Sequence, residues 1–480
     1  MKQTGDFLWS NKLLLSGYLI LTAFIIIIPA LYNGYPLFYS DSALYIKAAM
    51  LFGNVSPEDS VPYLSGLGYA FFIRIVTWKS TLYLVILAQA IILSILIYLS
   101  LRVLLPAKKI LIYHLSLILL LSICSSMGWT TSQLMPDIFT SYLILSVFLF
   151  YTYTKNSWEI YIFLSAIIIT SVLSHLTNIS IIVLIIAALV LLFLIKNTYR
   201  LHLKLFIKKS IVILALVFSS LIILVGLNKK YYNYVGLSPT SYIFFFARLI
   251  DTGLMPEFLN EKCAEKSYEI CQYKDNLPDK YESFLFGAES VFYKTGGWDL
   301  SKHNEYRTIA RDFLTSPKYL GKFLYNCAIH SAYQLVTFKT GDGLTNVFNP
   351  ESSQYQTVLK YYNRGEFKYN FQNSKQIQGT LDFKTINLIN YILIFISVLI
   401  IIWTLLFNKL DSNMFLFTYI NIFGVAINAA VTSSLSSVFD RFQSRVIWLI
   451  PLLASIYFFK FVYPAVKASL NKYSKTNHNL

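Results

Sequence analysis

The chain has 480 residues, of which 56% are hydrophobic, 17% aromatic and only 13% charged, with a mean hydropathy of +0.56. Such a composition excludes a soluble globular domain of this length and leaves an all-α polytopic membrane protein as the fold class. The net charge of +16 would suggest nucleic acid in a soluble protein. Here the basic residues sit in short loops between apolar runs, a pattern of membrane orientation and contact with membrane lipids, with no nucleic-acid partner.

In chain order, MKQTGDFLWSNK shows no cleavable-signal pattern and leads into an apolar run of span length. About ten spans are predicted, at roughly 12–32, 80–104, 109–127, 137–153, 158–173, 179–195, 209–227, 386–408, 413–431 and 445–463. Apolar runs of about twenty residues, instead of alternating short strands, exclude a β-barrel. The first span is followed by a loop, 33–79, that carries YPLFYSDSALYI with a single carboxylate, Asp41. Between the seventh and eighth spans lies a polar insert, 228–385, too long for a plain loop and predicted to be mixed, mainly helical structure. The chain thus divides into an N-terminal transmembrane module (1–227), the insert, and C-terminal spans with a basic tail (386–480). Within the insert, 305–338 has the pattern of one or two amphipathic helices, with Arg307, Arg311, Lys318 and Lys322 among apolar residues. That pattern suits a helix at headgroup level or the packing of a small domain equally.

Orientation follows from Lys and Arg in the short loops. With the N-terminus inside, the cytoplasmic segments hold Lys2 and Lys12; Arg102, Lys108 and Lys109; Lys155; the run from Lys196 to Lys209; and Lys409 with the tail lysines Lys467, Lys472 and Lys475. Both termini are then cytoplasmic, and the first loop and the insert are extracytoplasmic. Cys263 and Cys271 lie in the insert, where an oxidising compartment would allow a disulfide. Cys124 reads as a small hydrophobe in a span, and no Cys/His spacing reads as a zinc site.

The outer ends of the spans collect a mixed set of ionisable residues: Asp41, Asp137, His175, Asp440, Arg441 and Arg445, joined by Arg248 and Asp251 of the insert. Each has a plain alternative. Asp41 and Asp137 stand where helices begin and could serve only as caps. His175 could be a satisfied interfacial histidine. Arg441 and Arg445, four residues apart on one helical face, could hold lipid headgroups. Their position on the outer side nonetheless runs against the orientation rule. Two guanidiniums one turn apart suit a phosphate. A lipid-phosphate substrate would let the Arg pair hold the leaving phosphate while Asp41 takes a proton from an attacking hydroxyl. Tyr39 and Tyr45 are candidate sugar-stacking residues in the same loop, or members of an aromatic belt.

This pattern resembles the GT-C superfamily of integral-membrane glycosyltransferases, which draw on polyprenyl-phosphate sugars. The likeness lies in the early acid of the first outer loop (YSDSALYI), the Pro/Gly/Tyr stretch VPYLSGLGYAFFIRI before the second span, and the second acid in MPDIF. It implies Asp41 as catalytic base and Asp137 as a secondary acid. The terminal DRFQSRVIWLIP resembles an Arg-bearing segment before the last span in bacterial membrane proteins of this broad kind. It implies donor-phosphate contact by Arg441 and Arg445. By their place on the outer face, His175 is grouped with that pair, and Tyr39, Tyr45 and Arg248 are expected as substrate contacts. The implied partners are a polyprenyl-phosphate-linked sugar and a lipid, glycan or protein acceptor at a bacterial inner membrane. Many members carry two adjacent acids in the first loop, but Ser42 follows Asp41 here, so a divalent metal lacks its acidic pair and no cofactor is assigned. An O-antigen ligase or polymerase is the alternative, resting on Arg441, Arg445 and His175 without a carboxylate base. A transporter or flippase would place polar residues at mid-membrane and show repeats, whereas these spans are nearly unbroken Leu, Ile, Val and Phe.

Overall fold

The computed structural model describes residues 12–53, 66–77, 80–153, 158–195, 203–287, 289–299, 303–344, 348–362 and 364–465. The orientation-bearing Lys2, Lys155, Lys196, Lys467, Lys472 and Lys475, and the start of the 61–75 stretch, lie outside them. Among the described residues there are helices and a single isolated parallel bridge, Leu37 to Gln133, but no strand. The helices used below are α1 (Lys12–Ile26), α2 (Ser42–Ala49), α3 (Leu67–Thr77), α4 (Tyr83–Leu104), α5 (Ile110–Cys124), α6 (Ile138–Thr152), α7 (Trp158–Ser174), α8 (Thr177–Ile195), α9 (Leu203–Tyr232), α10 (Ser241–Asp251), α11 (Leu254–Lys262), α12 (Asn304–Leu314), α13 (Pro317–Val336), α14 (Phe383–Phe407), α15 (Ser412–Leu435) and α16 (Asp440–Ile447).

A helix occupies each apolar segment read from the sequence. Seven are long and apolar enough to cross a membrane, the last running from Asp440 to Ala465. The chain is thus a helical membrane protein. α1, α6 and α7 are apolar but shorter, at 15, 15 and 17 residues. In lipid every backbone N–H and C=O must be satisfied within the helix, so these runs have no cheaper structure available. The first segment is broken where Pro29, which has no N–H, starts a second short helix, Ile28–Asn33. Gly34, at φ +87°, ends it. Polar side chains inside the bundle are paired between helices. Thr22 of α1 meets Ser94 of α4 at 2.7 Å, and Tyr18 of α1 meets His114 of α5 at 2.9 Å.

The insert is not one unit. Residues of α10, α11, α12 and α13 enclose their own core, with Phe246, Phe258, Tyr306, Phe313 and Tyr319 at its centre. The Cys263–Cys271 disulfide is formed at its edge. The later part, with Phe338, Phe348, Phe367 and Phe371, instead joins the core of the transmembrane helices through Tyr35 and Phe38 of the first loop. Gln376 completes this junction, accepting from the Phe38 N–H at 3.0 Å and donating to the Phe38 carbonyl at 2.6 Å.

The 305–338 stretch is two helices, parted where Pro317 starts α13. α12 buries Tyr306, Ile309, Ala310 and Phe313 in the insert core. Lys318 and Lys322 pair with Glu261 and Glu257 of α11. Domain packing therefore accounts for both lysines, because a carboxylate faces each of them. The other half of α13 packs along α15, where Ser331 and Ser433 stand 3.4 Å apart.

α3 approaches α7 closely at Gly68, where an added Cβ would lie 2.4 Å from Leu173 Cβ and 2.7 Å from the Leu173 carbonyl carbon. Backbone cannot swing aside as a side-chain tip can. Gly68→Ala is predicted to destabilise the protein by about 1–3 kcal/mol through overpacking. Gly321→Ala, with nothing within 4 Å of the new methyl, should be neutral or slightly stabilising. Thermal unfolding in detergent compares them, and equal melting temperatures would refute the close contact.

Candidate functional site

α16 is short and carries both arginines of the terminal motif. Its carbonyls and side chains are held from below. Ser126 Oγ donates to the Ser444 carbonyl at 2.6 Å, and Ser141 Oγ and Trp448 Nε1 donate to the Arg445 carbonyl at 2.5 and 3.0 Å. Asn428 of α15 donates through Nδ2 to the Phe442 carbonyl at 2.7 Å and to Gln443 Oε1 at 2.9 Å.

Arg445 points inward and is fully buried. Its Nη1 donates to Asp137 Oδ1 at 3.3 Å, and its Nε and Nη2 donate to Asn428 Oδ1 at 3.2 and 2.9 Å. Nη2 also reaches Thr177 Oγ1 at 3.5 Å, and that hydroxyl stands 2.7 Å from His175 Nδ1. Asp137, itself 3% exposed, occupies the N-cap position of α6 but makes no side-chain cap hydrogen bond; its carboxylate is turned to Arg445. The cap reading of Asp137 therefore gives way to an ion pair. A buried guanidinium carries a large desolvation cost unless charge and hydrogen bonds surround it, and here both do.

Arg441, one turn earlier, lies nearer the surface, its side chain partly exposed. Its Nη1 lies 3.5 Å from Asp41 Oδ2, with the two side chains 15% and 37% exposed. Its guanidinium carbon sits 4.0 Å from the centre of the Tyr39 ring. Its Nε has no hydrogen-bond partner. Its backbone N–H donates to Asp342 Oδ2 of the insert at 3.1 Å. Asp41, at the N-cap of α2, makes no side-chain cap hydrogen bond either. The local turn is closed by Ser42 Oγ, which accepts from the Tyr39 N–H at 2.9 Å. The carboxylate is thereby free to face Arg441.

The residues singled out in the sequence thus sort into two groups. Asp41, Tyr39 and Arg441 form the partly accessible part of the cluster, Asp137 and Arg445 form its buried base, and half-buried His175 stands beside that base through Thr177. Arg445 has no open donor face towards a ligand, so its assignment as a direct phosphate contact is corrected: surrounding helices take up its donors. Tyr45 is corrected likewise. Its ring is buried, edge-on to Tyr69, and lies where a Cβ on Gly66 would clash at 2.2 Å. Arg248 is 1% exposed and pairs with Asp251 at 2.7 Å, while Asp251 accepts from Ser437 Oγ at 2.7 Å. It anchors the insert to the 436–437 turn and does not join the cluster.

Asp342, Asn428 and Thr177 belong to the cluster but were not singled out from the sequence. Asn428 had a readable signal, a polar amide inside an apolar span, and Asp342 lies in a Gly-Asp-Gly turn.

Around this cluster, the donor set does not suit a divalent cation, because Asp41 and Asp137 each face a guanidinium that would repel one. Among the described residues no group of His, Cys, Asp or Glu converges as a metal site. A cavity of ≈ 230 Å³, lined by Tyr151, Phe193, Phe206, Lys209 and Leu416, sits at the opposite ends of the helices and contains none of these residues. Chemically, the cluster offers a partly exposed carboxylate beside a partly exposed guanidinium whose Nε–H is enclosed and unpartnered. Comparison with family models, curated proteins and solved structures finds no match to this chain.

Removing Arg445 would strand Asp137 as a buried charge. Arg445→Ala is predicted to cost about 3–5 kcal/mol, and the double change Arg445→Met, Asp137→Leu to recover most of it. Thermal unfolding of the set checks this, and an undisturbed Arg445→Ala protein would contradict the buried pair. Burial, with the neighbouring Arg445 charge, pushes the His175 imidazole down from 6.5 to about 3. The folded state therefore resists a proton that the unfolded chain accepts. The stability this contributes is complete above about pH 6.5 and is lost as pH falls towards about 3. Melting temperature should fall more steeply with acid in the wild type than in His175→Gln; parallel curves would remove His175 from the account.

Proposed function

We propose that the chain is an integral-membrane transferase that moves a sugar from a polyprenyl-phosphate carrier to an acceptor at the outer face of the membrane. The observation that carries this reading is the Asp41–Arg441 pair. The two come from positions 400 residues apart in sequence and meet at 3.5 Å, with the carboxylate partly open. In this reading all ten apolar helices span or enter an inner membrane of bacterial type. Both termini face the cytoplasm, and the first loop and insert face outward, as the loop lysines and arginines require.

The carrier's tail lies in the bilayer and its phosphate at Arg441, whose 15% exposed guanidinium holds it by charge-assisted hydrogen bonds. The acceptor hydroxyl loses its proton to Asp41 as its oxygen bonds to the anomeric carbon. The bond from that carbon to the phosphate oxygen breaks, and the polyprenyl phosphate departs with the electron pair, its added charge stabilised by Arg441. Tyr39 provides the stacking face under the guanidinium. Arg445, Asp137, Asn428 and Thr177 keep the helix in register without touching substrate.

A ligase-like enzyme that dispenses with a carboxylate base is the second reading, and the chain of contacts from Arg445 through Thr177 to His175 favours it. Purified protein supplied with polyprenyl-phosphate sugars separates the two. Asp41→Asn should lower turnover by about 10²–10⁴-fold, the usual worth of a general base, with little change in donor affinity. Arg441→Ala should weaken donor binding and turnover together, and Arg441→Lys should restore only part. Full activity in Asp41→Asn with loss in Arg441→Ala would select the ligase-like reading.

A further inference from the structure

The end of the insert's folded core runs from α13 into the sequence KTGDG, Lys339–Gly343; Gln334 before it, Lys339 and Asp342 are bonded to the start of α16, and Thr340 is bonded to Asn387 of α14. Gln334 donates through Nε2 to the Phe439 carbonyl at 2.8 Å and accepts at Oε1 from the Phe439 N–H at 3.1 Å. Asp440 Oδ1 accepts from the Lys339 N–H at 2.6 Å, and Asp342 Oδ2 accepts from the Arg441 N–H at 3.1 Å. The first N–H groups of a helix have no partner inside it. Asp342 supplies one from a segment 99 residues away. Asp440 returns the same service to the insert. A carboxylate at that end also meets the favourable end of the helix dipole.

The two glycines of the turn place it against the rest of the cluster. Gly341 has φ +105° and Gly343 has φ +69°, conformations that side chains other than glycine adopt at a cost. A Cβ on Gly343 would lie 1.7 Å from the Tyr39 ring, and one on Gly341 would lie 2.4 Å from the Phe383 ring. Tyr39 is the ring on which the Arg441 guanidinium stacks. A single five-residue turn therefore fixes both the backbone of Arg441 and the surface beneath its side chain.

We propose that Asp342 is a positioning residue for Arg441, and that the Gly341–Gly343 turn is the wall of a site for the phosphate of a lipid carrier. The ligand class rests on the transferase reading; the clamp does not. Asp342 reaches Arg441 through the main chain and takes no part in proton transfer. Its effect is to hold the partly exposed guanidinium where a phosphate can meet it beside Asp41. The insert is then a component of the site and not an appendage between spans.

The test uses the full-length protein in detergent micelles as wild type, Asp342→Ala, Asp342→Asn, Gly343→Ala and Arg441→Ala. Amide hydrogen exchange is followed over residues 437–447, and binding of a polyprenyl phosphate is titrated in parallel. Asp342→Ala should exchange several-fold faster over this segment and bind the lipid phosphate about tenfold more weakly, the scale of one lost hydrogen bond to a charged acceptor. Asp342→Asn keeps an acceptor oxygen and should restore both. Gly343→Ala should weaken binding by displacing Tyr39 while helix exchange stays at the wild-type rate, which keeps the proposal testable should Asp342→Ala not fold. Unchanged exchange in Asp342→Ala overturns the clamp whatever the ligand. Faster exchange with wild-type affinity overturns the positioning role. Wild type that protects the helix as described but does not bind a polyprenyl phosphate overturns the transferase reading and supports the clamp alone.

Discussion

Everything at this end of the helix bundle depends on where a buried guanidinium can find partners. Arg445 is fully enclosed, and an ion in that position costs several kcal/mol unless its charge and its donors are met. Its partners come from three other helices: Asp137 at the start of α6, Thr177 at the start of α8 and Asn428 within α15. Meeting them all requires the starts of α6 and α8 and the last turns of α15 to lie at one depth, and α16 to sit among them in one rotation. Lipid packing alone gives helices no such register, because Leu against Leu tolerates sliding and turning. The polar knot converts an apolar bundle with many similar packings into one arrangement.

That arrangement gives the neighbouring arginine its different character. Arg441 is one turn from Arg445, yet it keeps an unused Nε and faces a carboxylate that is 37% exposed. Two arginines at such spacing look equivalent in a sequence. In the folded chain one is consumed by structure and the other keeps a partly exposed side chain beside Asp41. The difference arises because α16 lies with one flank against the bundle and the other under the first loop, so a rotation of a few tens of degrees decides each side chain's fate.

The helices were legible because the bilayer imposes length and polarity on each span: ten apolar runs could be marked, and a helix lies in each. The cluster was legible in part. Asp41, Asp137, His175, Arg441 and Arg445 all gather at one end, as their places at span termini implied. Tyr45, as an aromatic of the first loop, and Arg248, as an ionisable residue of the insert, were expected as substrate contacts. Their burial comes from partners that no local pattern specifies, Gly66 and Tyr69 for one and Asp251 for the other. The cap readings of Asp41 and Asp137 failed for a related reason. Position at a helix start was right, but a guanidinium from a distant segment competes for the carboxylate and wins.

The insert shows why the missed residues were hard to find. By composition it is a single polar stretch between two spans. In three dimensions it divides, with 241–323 folding around its own aromatic core and the stretch beyond Phe338 joining the first loop and the membrane helices. The division follows from the chain's path. After α13 packs along α15, the backbone emerges beside α16, where Asp342 takes the unpaired Arg441 N–H and the Lys339 N–H donates to the Asp440 carboxylate. Those hydrogen bonds are main chain to side chain across about a hundred residues, and neither hydropathy nor spacing encodes them. What did lie in the sequence was the Gly-Asp-Gly turn. Glycines on both sides of an acid indicate a backbone bent for close approach, and here it approaches Tyr39 and Arg441. An acid that looks like loop polarity thus becomes intelligible only once the helix it caps is known to carry the arginine.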